Sequence, residues 1–186
     1  MTTISELRTQ IDAVDDQIAE LLLSRAELVS KVRDQKIGNK INTYIPAREA
    51  EIFTRLATKF KSQFLPEEKL VSVFKQILSV FRGQIGAVRV GVVAFDVAPA
   101  LLELGTEISV RSCENTNGVL SSLLVGEIEC GVVELRDLTQ LVSDGEITSG
   151  SHVSFGESEL LVVSIFNYKI VSGVDREYAL FVKAVS

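Results

Sequence analysis

The 186-residue sequence has no tryptophan, one histidine, one methionine, three prolines and two cysteines. Cys113 and Cys130 lack CxxC spacing, and His152 is the single histidine available to join them. That composition argues against a zinc site and a disulfide framework, and it reads the two cysteines as buried free thiols. No apolar run is long enough to cross a bilayer, and the opening MTTISELRTQ has neither an apolar signal core nor a basic leader, so the expected location is cytoplasmic. Cations are scarce in the second half. Residues 85–186 hold 6 Lys/Arg against 14 Asp/Glu, whereas residues 1–84 hold 13 against 11. An acidic half with so few basic groups is a poor nucleic-acid surface.

What remains is ordinary for a protein with a packed core: 46% apolar and 24% charged residues, enough chain for one large domain or two small ones. The pattern changes character near Gly83-Gln84-Ile85-Gly86. The predicted domains are 1–84, helical, and 87–186, α/β. Residues 3–37 contain no proline and no glycine, and Ile4, Leu7, Ile11, Val14, Ile18, Leu21, Arg25, Leu28 and Val32 step by three and four. This spacing predicts one long helix with a coiled-coil-like seam, about 50 Å in length. Pro46 and Pro66 suit first-turn positions, predicting helices over about 47–61 and 67–82, with Glu49, Glu67 and Glu68 near their positive ends. Two short helices leave part of a 50 Å seam uncovered. A second copy of the chain would cover it.

Arg25 breaks the apolar seam. A buried guanidinium must meet an anion, either an acidic side chain of the fold or a ligand. Lys36 lies eleven residues on, about 20° around the helix from Arg25 and about 16 Å along it, so both can converge on one small dianion. Arg8 is about 25 Å away in the other direction and roughly 100° round, out of reach on the same chain. An antiparallel partner helix could deliver it.

The stretch LRTQIDAVDDQIAELLLSRAELVSKVRDQK, followed by IPAREAEIFTRL, resembles the all-helical chorismate mutases. The resemblance spans about residues 4–85 and rests on several short motifs in order. It implies an intertwined homodimer in which Arg8 crosses to the partner's site and Arg25 and Arg48 clamp substrate carboxylates. Lys36 would address a carboxylate and the ether oxygen, and Glu49 would accept the ring hydroxyl. For Arg48 and Glu49 a solvated helix start with a local ion pair is the plain alternative. The implied reaction, chorismate to prephenate, is a unimolecular shift without cofactor, metal or protein nucleophile. The protein need only fold a flexible dianion and stabilise charge growing on the ether oxygen.

The sequence departs from that family at three places. Ile45 stands where the family carries Asp, Phe81 where it carries Ser, and Ile85 where a Gln or Glu touches the ether oxygen, with Gln84 one residue early. In the second half, strands are predicted over 88–95, 107–112, 128–135 and about 151–156, 160–168 and 177–185. Short helices are predicted over 99–104, from Asn115 to Gly126, and near 137–143. The stretch EISVRSCENTNGVLSSLLVGEIECGVVEL is similar to the first lobe of prephenate dehydratases. The Glu-Asn-Ser motif of that family is replaced by Leu135-Arg136-Asp137, the glycine-rich opening by Ala94-Phe95-Asp96, and Thr-Arg-Phe by residues around Tyr178-Ala179-Leu180-Phe181.

Together these readings predict an α+β protein, a dimeric three-helix mutase-like domain followed by a reduced, non-dehydrating α/β lobe. The expected function is chorismate mutase in aromatic amino-acid biosynthesis. The alternatives are a mutase or lyase acting on isochorismate or aminochorismate, and a non-catalytic protein that binds a metabolite or partner enzyme of that pathway.

Overall fold

The computed structural model describes residues 2–39, 44–94, 96–142, 145–169 and 174–184, the side chains of 36–39 excepted. Its contacts divide the chain into two units, residues 1–42 and residues 43–186.

The first unit is one helix, α1 (Ile4–Asn39), of 36 residues, about 54 Å long. Its start is set by a reciprocal cap. The Thr3 N–H donates to Glu6 Oε2 (2.8 Å), and the Glu6 N–H donates to Thr3 Oγ1 (3.2 Å), so two orphan donors of the first turn find acceptors. The seam read from the sequence faces solvent in the single chain: Ile11, Leu21 and Leu28 are 58%, 70% and 59% exposed.

The second unit opens with α2 (Pro46–Lys59) and α3 (Glu67–Gly83), which pack on one another. Pro46 occupies the first helical position, where its missing N–H costs nothing. Pro66 lies one place earlier than expected, as the cap residue before Glu67.

The mixed sheet follows, built from β1 (Val88–Val93), β2 (Ile108–Cys113), β3 (Cys130–Glu134), β4 (His152–Phe155), β5 (Ser158–Lys169) and β6 (Asp175–Lys183). Three helices join it: α4 (Val97–Leu104), α5 (Thr116–Leu124) and α6 (Leu135–Thr139). The strand order is β2-β1-β3-β6-β5-β4. β1 pairs in parallel with β2 and β3, and the other pairings are antiparallel. The six strands and three small helices predicted from the sequence are all present, with ends shifted by at most four residues.

Alternation along the strands makes two cores. Val88, Val90, Val92, Cys130 and Val132 face α4, joined by Ala100, Leu104, Tyr178 and Tyr44. On the other face Val119, Leu120 and Leu123 of α5 and Leu138 of α6 pack with Val133 and Phe181, as a side-chain period of two requires. Gly91 and Gly131 lie side by side across β1 and β3. A Cβ on either would sit 3.0 or 2.7 Å from Val119 Cγ1, so this glycine pair lets α5 approach the sheet closely. Asn115 caps α5 by accepting from the Gly118 N–H at 3.0 Å. Cys130 is fully buried and Cys113 half-buried, and neither is in a disulfide.

Candidate functional site

The start of α2 sends its two candidate residues to different surroundings. Arg48 is exposed and pairs along its own helix with Glu51 at 2.8 Å. The next residue, about 100° round the helix, is Glu49, whose side chain is only 16% exposed. Arg82 Nη1 donates to both of its oxygens, at 2.7 and 2.9 Å. Burial pushes the Glu49 carboxyl above its ordinary range. Arg82 opposes that rise by charge and hydrogen bonding, Glu103 adds to it, and Lys75 counters it. Each Glu49 oxygen keeps acceptor capacity beyond the Arg82 bonds, so the carboxylate can still receive a hydroxyl.

Arg82 is itself buried. Its Nη2 donates to the Leu104 carbonyl, its guanidinium lies over the Tyr44 ring at 5.4 Å, and its Nε has no partner among the described residues. Burial raises the Tyr44 phenol well above its usual range, with the fields of Cys130 and Glu49 adding to the effect. Three and seven residues earlier on α3, Ser79 and Lys75 contact the same stretch of chain. Ser79 Oγ accepts from the Glu107 N–H at 2.9 Å, and Lys75 Nζ pairs with Glu103, whose other oxygen accepts from Ser164 Oγ at 2.7 Å. Lys75, Ser79 and Arg82 thus form one polar stripe at helical spacing, docked on the end of α4. A cavity of about 230 Å³ lies beside it, bounded by Tyr44, Glu49, Phe53, Glu103, Ser164 and Leu180.

The candidates on α1 belong to the other unit. Arg8 is exposed and Arg25 half-buried, while the Lys36 side chain lies outside the described residues. The three departures have physical counterparts. Ile45 is the cap residue of α2 and gives it no side-chain hydrogen bond, which an Asp there could supply. Phe81 is buried. Past the end of α3 the Arg82 carbonyl accepts from both the Ile85 N–H at 2.8 Å and the Gly86 N–H at 3.0 Å, so Gln84 and Ile85 lie in a tightened closing turn.

Sequence reasoning did not single out Arg82, Lys75, Tyr44 or Glu103. One signal was available: Arg82 follows Ile77-Leu78-Ser79-Val80-Phe81, an anomaly of the same kind as Arg25. Among the described residues no group of His, Cys, Asp and Glu could hold a metal ion, and no helix is long and apolar enough to cross a membrane.

Residues 7–84 match the family described as chorismate mutase type II, and all five candidates, Arg8, Arg25, Lys36, Arg48 and Glu49, fall within them. Over these residues the chain is similar to chorismate mutase type II. The bifunctional chorismate mutase/prephenate dehydratase of Aquifex aeolicus (strain VF5) is 33% identical over 82 residues, 42% of this chain and 23% of that protein. The T-protein of Enterobacter agglomerans is 29% identical over 75 residues, 40% of this chain and 20% of that protein. The chain thus spans only about a fifth to a quarter of these relatives' lengths. No solved structure matches the chain.

Proposed function

We propose that the chain is a chorismate mutase, converting chorismate to prephenate in aromatic amino-acid biosynthesis, and that it works as a homodimer. The observation that carries this reading is the family match over residues 7–84, which contains the whole candidate set in order. In this reading Arg25 and Arg48 hold the substrate carboxylates, Arg8 reaches the site of the partner chain, Lys36 stabilises the ether oxygen, and Glu49 accepts the ring hydroxyl. Holding a flexible dianion in its reactive shape removes much of the entropic barrier, and fixed cations stabilise the charge that develops. The domain boundary falls at 84–87. The following lobe serves a structural or regulatory purpose and dehydrates nothing, because Arg136 and Asp137 stand where a dehydratase-like motif would lie.

The departures at Ile45, Phe81 and Ile85 favour a second reading, a binding protein for the same metabolite without turnover. They remove polar groups near the ring hydroxyl and ether oxygen, and a lost donor at developing charge typically slows such a step by on the order of a hundredfold or more. An isomerase or lyase for isochorismate or aminochorismate would keep the same scaffold. A single assay separates these readings: chorismate loss with product identification, wild type beside Arg25→Leu, with uncatalysed and acid conversion subtracted. The mutase reading expects prephenate in proportion to enzyme, none from Arg25→Leu, and no enzyme-dependent phenylpyruvate. Saturable chorismate binding without loss would establish the binding protein, and a different product the related enzymes.

A further inference from the structure

The stripe on α3 joins two parts of the chain that the sequence treats separately. Lys75, Ser79 and Arg82 lie within the family-matched residues 7–84, whereas their partners Glu103, Glu107 and Leu104 lie in the α/β segment. Ser79 also packs against Gly105, where an added Cβ would lie 2.3 Å from the Ser79 Cβ. The contact is therefore close, and within it only Arg82 touches both sides of a functional question. One terminal nitrogen holds the Glu49 carboxylate and the other holds a main-chain carbonyl of the α/β segment.

We propose that Arg82 is the positioning residue of Glu49 and that, through its bond to Leu104, the α/β segment fixes where that carboxylate points. The inference rests on the reading of Glu49 as the acceptor of a substrate hydroxyl, and it gives the α/β segment a defined route to that group. The planar guanidinium suits the task. Its two Nη groups are rigidly spaced, its central carbon lies over the Tyr44 ring at 5.4 Å, and a movement of the α4 end at Leu104 is passed to Glu49 through this one planar group. The charged and titratable groups that interact with Glu49 are Arg82 and Lys75 from α3, Glu103 from α4, Tyr44 ahead of α2 and the Cys130 thiol from β3. Arg82 acts on it most strongly among the cations.

The test is carboxyl-carbon NMR titration of Glu49 in the full chain, assigned with Glu49→Gln, in wild type, Arg82→Gln, Arg82→Lys and Ser79→Ala. Removing a cation in contact with a carboxylate raises its titration by about one pH unit or more. Arg82→Gln should show that rise, Arg82→Lys should recover part of it, and Ser79→Ala, which loosens the seat of the α4 end without touching Glu49, should move it the same way but by less. An unmoved Glu49 in Arg82→Gln, or an equal shift in Ser79→Ala, would overturn the proposal. Should Arg82→Gln not fold, the Arg82 side chain gives a reading of its own. Slow guanidinium rotation in wild type, lost in Glu49→Gln, supports the link, and free rotation in wild type contradicts it. Chorismate turnover is read on the same samples. The acid limb of kcat/KM should move up with the Glu49 titration in Arg82→Gln, and a limb that stays in place while the titration moves would overturn the positioning role. A shifted titration in a protein that turns over no chorismate counts against the mutase reading alone and leaves the hold of Arg82 on Glu49 supported.

Discussion

Single side chains carry two consequences that can be measured separately. Arg25 occupies a seam position between Leu21 and Leu28, where apolar packing is the rule. If it serves to hold a dianion, Arg25→Leu restores the seam and stability without ligand should equal or exceed wild type, since replacing a buried charge by a packed apolar group is often neutral or stabilising by up to ~1–4 kcal/mol. The stabilisation that prephenate or a bicyclic transition-state analogue gives wild type by mass action should disappear. Urea unfolding with and without ligand checks both, and a strongly destabilised variant that still responds to ligand would make Arg25 structural. The second consequence concerns alkali. Burial holds the Cys130 thiol far above its usual range, and Tyr178, hydrogen-bonded to Asp96, is pushed up to about 12, chiefly by burial. The Tyr44 phenol is raised as well. A raised native pKa means that the unfolded chain releases its proton first, so stability is full below the unfolded value and falls as pH rises above it. For Cys130 that fall begins near pH 8.5, at about 1.4 kcal/mol per pH unit, and the tyrosines add to it above about pH 10. Urea midpoints from pH 7 to 10 should therefore drop, and Cys130→Ala should flatten the slope between about pH 8.5 and 10. An unchanged slope would mean that the thiol is not held protonated.

At the scale of elements, Gly105 and Gly126 make a matched pair. Both have φ of +79°, yet a Cβ meets nothing within 4 Å at Gly126 and meets Ser79 at 2.3 Å at Gly105. Gly126→Ala should cost about 1–2 kcal/mol from backbone strain alone. Gly105→Ala should cost more, because ψ of −170° places it in a region that is essentially glycine's own and α3 must also move. Thermal unfolding of the two variants decides this, and equal losses would mean that α3 is not tightly seated on the end of α4. The pair also marks where legibility ended. Helices and strands could be read because apolar periods of 3.6 and 2 differ, and because Pro46, Gly105, Asn115 and Gly126 punctuate them. The docking of α3 could not, since Lys75 and Ser79 look in sequence like a solvated face, and Arg82, though anomalous after an apolar run, does not name its partners. Their partners are one carboxylate, one main-chain N–H and one carbonyl, and the last two leave no mark on residue identity. The cation pattern on α1 and the Arg48-Glu49 pair were legible as anomalies and as motifs. That Glu49 turns to a buried arginine and Arg48 to Glu51 depends on three-dimensional packing.

For the whole molecule, the account depends on what covers α1. Its apolar seam residues are about half to three-quarters exposed in the single chain, and the proposed dimer would cover that stripe as a coiled-coil partner does. Sedimentation of the full chain should give a mass about twice 20.4 kDa; a species at the single-chain mass would remove the cross-chain role of Arg8. Mixing two disabled variants tests the proposed mutase dimer most directly. Arg8→Ala and Arg25→Ala homodimers should each be nearly inactive on chorismate. After denaturation together and refolding, half of the dimers pair one chain of each kind, and one of the two sites in such a dimer regains both arginines. The account predicts prephenate formation recovering to about a quarter of wild type. No recovery, with exchange of chains confirmed, would contradict it.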